Sequence, residues 1–190
     1  MIDASQLINT INNLSILSVE LQDKITSYLV EEHFNRKTLL LKSGQVAHRI
    51  YFVKQGLLRS FFHQNANQYT NWFMGEGEFI ISVYSFFTQK PSFENIEVLE
   101  DCDLQSITWD QLQSLYQQYP EFNRTGRLIT ERYYIRNEEK TIQLQTLSAA
   151  ERYQALLNNY PGILQQASLG HIASFLNIKQ ETLSRIRAGK

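Results

Sequence analysis

Between Phe34 and Thr108 the chain never stays long in one element. Turn-forming residues interrupt it at intervals of about 8–12 positions, the punctuation of short antiparallel strands. Leu39-Leu40-Leu41 leads into Ser43-Gly44. Arg49–Val53 leads into Lys54-Gln55-Gly56, and Leu57–Phe62 into the polar, turn-like stretch His63–Gln68. Tyr69–Met74 is broken by Gly75-Glu76-Gly77-Glu78, and Asn95–Leu99 and Leu104–Thr108 resume the texture after Pro91. These runs are rich in aromatic and β-branched side chains, which fit a pleated, half-buried surface. The expected product is an antiparallel sandwich or roll.

Helical patterns flank it. Leu7, Ile8, Ile11 and Leu14 recur at helical spacing, and Ser18 is placed to cap a second helix through Leu29. After the roll, Trp109, Leu112 and Leu115 mark a helix over 109–118, and Pro120 suits the first turn of another. No proline, and no glycine after Gly126, interrupts Arg127–Tyr160. A helix from Pro120 to about Thr146 would be ~40 Å long. Leu128, Ile135 and Ile142 put one apolar stripe along it, while Glu131 and Glu138 occupy the seam positions between them. The seam is therefore a partial coiled coil and suggests dimerisation. Ser148-Ala149-Ala150-Glu151 is a capping box opening a further helix that Pro161-Gly162 ends. The expected fold class is α+β. Its parts are a β-roll effector domain over 1–118, a long connecting helix over 119–146 and a small helical domain over 147–190.

Composition narrows the function classes. With 43% hydrophobic and 19% charged residues, the 190-residue chain is that of a folded protein, not a disordered one. A single cysteine, Cys102, excludes an internal disulfide, a four-thiolate zinc site and a cysteine-ligated iron–sulfur cluster. No apolar run approaches the ~18–20 residues of a membrane span. The opening Met1-Ile2-Asp3-Ala4 lacks a secretory n-region, so a cytoplasmic protein without a membrane partner is expected. The net charge of −1 is unevenly spread: residues 151–190 carry 5 Lys+Arg against 2 Asp+Glu, and four of those cations lie within Lys179–Lys190. A basic tail on an acidic body points to a polyanion partner. The plainer alternative is a solvated helix end whose cations complement the dipole.

Ser168–Arg187, SLGHIASFLNIKQETLSRIR, carries the most specific pattern. Leu169, Ile172, Phe175 and Leu176 form one helical face. Asn177 is a turn residue able to adopt a left-handed conformation, and Ile178, Leu183 and Ile186 form a second, shorter stripe. Ala173 supplies the small side chain that two crossing helices need. This is a helix-turn-helix, or else an ordinary helical hairpin with a solvated outer face. Read as the former, Gln180, Glu181 and Arg185 suit adenine, cytosine and guanine edges respectively. Lys179, Thr182, Ser184 and Arg187 suit phosphates, which fix register without reading sequence.

The run Glu181–Arg187 after Ile172–Ile178 resembles the helix-turn-helix of the Crp/Fnr transcription regulators. The upstream order supports it: a glycine-punctuated, cupin-like β-roll, a long helix, then a small helical domain. Glu151-Arg152-Tyr153, Leu156-Leu157 and Pro161 are similar to the short branch found in Bacteroidetes-type bacteria. That family's recognition helix carries an R-E-T-x-x-R pattern. Gln180 stands where the first arginine would, so the outer part of the half-site should differ. The resemblance implies a homodimer on an inverted-repeat operator in double-stranded DNA, with RNA polymerase as a further partner if the protein activates. Family members also carry a β-hairpin wing after the recognition helix. Only three residues follow Arg187 here, so the expectation is that the wing is missing and affinity leans more on dimerisation.

The family's cyclic-nucleotide cassette is implied only in degenerate form. Its opening turn falls on Gly77-Glu78-Phe79-Ile80. The ribose glutamate falls on Ser82, and the phosphate-binding Arg-Ser pair on Ser92-Phe93. A buried phosphate monoanion needs a charge-assisted, preferably bidentate donor, and Ser92 offers neither charge nor fork. Cyclic AMP or GMP in the usual mode is not expected; Arg59 and Lys90 are the nearest cations that could substitute from other strands. An iron–sulfur sensor needs several cysteines where one is present, no motif supports a haem site, and no cofactor is expected. His33, His48 and His63 lie fifteen apart without the closely spaced histidine pair of a cupin metal site, so no metal is expected either. The aromatic residues Phe61, Phe62, Trp72, Phe73, Phe79, Tyr84, Phe86 and Phe87 are read mostly as core. An unknown effector, apolar or otherwise, or none, is left open. No G-x-S-x-G, P-loop or H-E-x-x-H occurs, so an enzyme is not expected. The alternative function is a ligand-binding or protein-interaction module with a vestigial helix-turn-helix.

Overall fold

A computed structural model describes residues 2–65 and 67–189. Met1, Ala66 in the predicted 63–68 turn and Lys190 in the basic tail lie outside the described residues. Two helices, α1 (Ser5–Asn12) and α2 (Val19–Tyr28), precede the roll. Ser18 caps α2 as expected, accepting from the Leu21 N–H. The chain then passes directly into β1 (Val30–Phe34), a strand that sequence patterning does not mark. Four of its five residues are exposed, so no apolar alternation announces it. It is held at a sheet edge by its ladder to β8 (Cys102–Thr108).

The other strands fall where the turn signals put them: β2 (Leu39–Leu41), β3 (Arg49–Gln55), β4 (Leu58–Gln64), β5 (Asn67–Met74), β6 (Phe79–Ile80) and β7 (Asn95–Val98). The short helix α3 (Val83–Thr88) lies between β6 and β7. Two antiparallel four-stranded sheets result, ordered β1-β8-β3-β6 and β2-β7-β4-β5. The polar stretch after Phe62 is less of a turn than expected. His63 pairs with Gln68 and Gln64 with Asn67, because a ladder satisfies the backbone whatever the side chains are. Val53, Leu58, Ile80, Val98 and Leu104 are buried in the main core. Gly56 closes the β3–β4 turn at φ +99°, and a Cβ there would meet Cys102 Sγ at 2.5 Å and the Asp101 carbonyl oxygen at 2.6 Å.

Helices complete the chain: α4 (Trp109–Gln118), α5 (Pro120–Thr146), α6 (Ala149–Asn159), α7 (Ile163–Gln166), α8 (Leu169–Phe175) and α9 (Gln180–Arg187). The Ser148–Glu151 capping box has both its hydrogen bonds, and a second box, Thr108–Gln111, opens α4. The C-terminal helices share a core with the roll. Leu57, Phe73 and Leu99 join Leu156, Ile163, Ile172, Ala173, Leu176 and Leu183. α8 lies against β5, the edge strand, where the Ser174 hydroxyl accepts from the Thr70 N–H at 2.7 Å and donates to the Gln68 carbonyl.

Arg59 stands opposite Phe73 in the β4–β5 ladder and so faces this second core. Only 2% exposed, it pairs with Glu97 at 2.7 Å and donates to Gln68 and Thr70, with the Phe61 ring against its guanidinium. These partners satisfy a charge that would otherwise be costly to bury. The residue is therefore committed to the joint with the C-terminal helices and does not stand in for a missing phosphate donor. His171 on α8 packs nearby with its Nδ1 buried and without a hydrogen-bond partner. Burial, reinforced by the Arg59 cation, pushes its pKa down to about 4.

Two outcomes follow from this packing. Gly56→Ala combines left-handed strain with a backbone clash and should lower stability by at least ~2 kcal/mol, read from the urea midpoint. His171 titrates near 4 in the fold but near 6.5 when unfolded. As pH falls through that interval the unfolded chain takes up the proton first, so this residue removes stability progressively and contributes no such loss above the interval. His171→Leu should therefore flatten the decline in urea midpoint across that interval relative to the parent. Equal declines in both proteins would contradict the assignment.

Candidate nucleic-acid interface

The helix-turn-helix forms locally as its residues dictate. Ser168 caps α8 by accepting from the His171 N–H. Asn177 takes the left-handed conformation at φ +53°, and the Asn177 and Ile178 N–H groups close the helix on Ser174 and Ala173. Ala173 is buried where the helices cross, and Leu183 anchors α9 to the second core. The opposite face of α9 is open. Gln180, Glu181, Ser184, Arg185 and Arg187 are exposed there, with Lys179 at its N-cap, while Thr182 is half-buried. Gln180 reaches over the Gly170 backbone of α8. Glu181 and Arg185 are four apart, the spacing of a helical ion pair. Among the described residues, however, none of the charged groups on α9 forms one.

Of the cassette residues, Ser82 and Ser92 are brought together, while Glu78 and Phe93 point elsewhere. Gly77 makes a tight turn at φ +78°, its N–H donating to the Val53 carbonyl. Ser82 and Ser92 are buried with their hydroxyl oxygens 2.9 Å apart. Ser92 donates its proton to the Glu94 carbonyl and accepts from the Glu94 N–H, so Ser82 is the donor to Ser92. Two positions that would face a cyclic nucleotide are thus bonded to each other. Phe93 is 69% exposed and lies against Tyr84, and Lys90 is exposed. Phe79 packs against Phe52 with the two rings tilted, and its backbone is clamped on both sides by Tyr133 of α5. Its N–H donates to the Tyr133 hydroxyl, which donates back to the Phe79 carbonyl. Of the aromatic set, Phe61, Phe73 and Phe86 are buried, while Phe62, Tyr84 and Phe87 are exposed.

Glu78 points elsewhere. One carboxylate oxygen accepts from Arg136 of α5 at 2.5 Å, and the other accepts from the Gly75 N–H. Arg136 also donates to the Tyr160 hydroxyl at 3.1 Å, and that hydroxyl lies 3.1 Å from Glu78 and 2.7 Å from the Phe73 carbonyl. Burial alone would lower the Arg136 pKa, but Glu78 and Tyr160 outweigh it and hold the guanidinium charged. A second tie sits beside this ring. Lys140 donates to the Asn71 carbonyl, with Trp72 and Phe175 rings within 5 Å of its ammonium. Burial pushes its pKa down to about 8. Sequence reasoning missed both ties, since Glu78, Arg136 and Tyr160 belong to three separate parts of the chain.

The three spaced histidines are not brought together. His33 bonds to Asp103, His48 to Gln89, and His63 lies against the Phe61 ring. Among the described residues no group of three or more His, Cys, Asp or Glu side chains is placed to hold a metal ion.

Comparison with known proteins agrees with this geometry. Residues 31–119 match the cyclic nucleotide-binding domain. The chain superposes on the c-di-GMP-responsive global regulator CLP of Xanthomonas campestris with a TM-score of 0.70 at 16% identity, covering 90% of this chain and 91% of that one. FixK2 of Bradyrhizobium japonicum gives 0.72 at 18% identity, covering 85% and 83%. A protein from Eubacterium rectale described as a transcriptional regulator of the Crp/Fnr family gives 0.69 at 19% identity, covering 91% and 83%. No curated protein is significantly similar in sequence. The chain thus carries a cyclic nucleotide-binding-type domain and, along nearly its whole length, the fold of the Crp/Fnr transcription regulators.

Proposed function

We propose that the chain is a homodimeric, sequence-specific DNA-binding transcription regulator. Residues 1–118 form its effector roll, 119–146 its dimerisation helix and 147–190 its DNA-binding part. The observation that carries this reading is the open outer face of α9. Among the described residues it presents two arginines, a lysine and short polar side chains free of ion pairs, on a helix whose other face is buried. Arg185 would fork onto guanine, Glu181 accept from cytosine and Gln180 meet adenine, with Lys179, Thr182, Ser184 and Arg187 on phosphates.

The stripe on α5 supports dimerisation. Ile135 and Ile142 are more than half exposed, Leu128 is half-buried, and Tyr134 and Leu144 widen the apolar surface. A second α5 would cover that stripe and set two recognition helices ~34 Å apart on successive major grooves. The Ser82–Ser92 hydrogen bond supports an effector other than a cyclic nucleotide, since no charged fork stands at either position.

Selection of duplexes from a random DNA library tests the reading. An inverted repeat with half-sites about one helical turn apart is expected, and a pool without one would overturn it. On the selected operator, Arg185→Ala should cost ~1–3 kcal/mol, concentrated at one base-pair step per half-site. Lys179→Ala should weaken all sequences alike and lower the salt slope by about 1 for each phosphate it leaves without a cation. Calorimetry with cyclic AMP and cyclic GMP should show no saturable heat; micromolar binding of either would contradict the reading of Ser82 and Ser92.

A further inference from the structure

A cavity of about 260 Å³ lies between the roll and α5. Nine elements contribute to its walls, among them α1 with Leu7, α2 with Ile25, β3 with Phe52, β6 with Phe79, β8 with Ile107 and α5 with Ile129. Protein interiors are close-packed, and voids larger than a water molecule are few. Side chains around such a space lack dispersion partners on one side, which a marginally stable domain recovers when something fills it. Among the described residues, the cation at this wall and the Tyr133 hydroxyl are engaged already, while Gln105 Oε1 is buried there without a hydrogen-bond partner. The Tyr133 hydroxyl is held by the Phe79 backbone, and Arg136 by Glu78 and Tyr160. Among the described residues the wall therefore offers an incoming anion no free cation, which disfavours a phosphate or a carboxylate. Val83 and Phe87 of α3 also line the space and are at least half exposed, so it opens on the α3 side, while Tyr134 at its rim belongs to the α5 surface that a second α5 would cover.

We propose that this cavity binds a small, uncharged, apolar molecule. An apolar cavity of ~150 Å³ stays dry and takes benzene. The larger space here suits a fused bicyclic aromatic or an apolar molecule of similar bulk. The occupant would touch Phe79, whose neighbour Glu78 is tied to Arg136 and Tyr160, so filling the cavity loads the connection to the C-terminal helices. Its role as an effector of DNA binding rests on the function proposed above; its binding does not.

The test uses the full chain and 1-naphthylamine, a neutral bicyclic probe whose emission rises in apolar surroundings. Saturable enhancement at one probe per chain is expected, together with a rise in Tm that grows with probe concentration. Ile129→Phe and Leu7→Phe each fill part of the space and should weaken binding at least tenfold while circular dichroism stays unchanged. Should either variant fail to fold, the other variant and the Tm rise of the parent protein still decide the matter. Absence of saturable enhancement would overturn the proposal. So would equal enhancement in the parent and the folded variants, because the probe would then be adsorbed on the exposed stripe of α5. Failure of the duplex selection leaves every one of these readings untouched, so the two proposals fail separately.

Discussion

Three parts of this chain meet at one ring of polar contacts. Glu78 comes from the turn before β6, Arg136 from the middle of α5, and Tyr160 from the end of α6. Charge-assisted hydrogen bonds in a half-buried setting are stronger than exposed ion pairs, and breaking one partner leaves the others unsatisfied. Glu78 and Arg136 are each about a quarter exposed, deep enough for the pairing to be screened only partly by solvent. Its hydrogen bonds are directional, so the ring constrains how α5 and the end of α6 sit on the roll.

The surrounding packing follows the same logic. The second core joins strand residues Leu57, Phe73 and Leu99 to the C-terminal helices, so those helices are not on a free tether. Ser174 bonds backbone groups of the β5 edge, and Arg59 fills the joint with a fully partnered charge. Lys140 adds a contact from α5 onto Asn71, beside Trp72 and the α8 residue Phe175. A change at the cassette therefore has short physical routes to α8 and, through the α8–α9 crossing, to α9.

Much of this architecture is legible in the sequence because its signals are local. The helix-turn-helix needed only two apolar stripes, a small residue at the crossing and Asn177 in the turn. The roll needed only its turn residues and strand-forming runs. β1 escaped because four of its five side chains face solvent, and its existence depends on pairing with β8, far away in the chain. α3 escaped because Val83–Thr88 is an aromatic run with no helical alternation. Arg59 was legible as a cation but not as to its face, which the ladder with β5 decides. The Glu78–Arg136–Tyr160 ring had no signal at all, because its three residues share no motif or spacing. The cassette is an intermediate case. Loss of charge at Ser82 and Ser92 could be read directly, whereas their bond to each other could not.

The roll and the C-terminal helices are coupled through that ring. A double-mutant cycle on Glu78→Gln and Tyr160→Phe, read from urea midpoints of the two single variants, the double variant and the parent, tests it most directly. An interaction energy of about 1 kcal/mol or more between the two sites is expected. Effects that add within ~0.3–0.5 kcal/mol would contradict it.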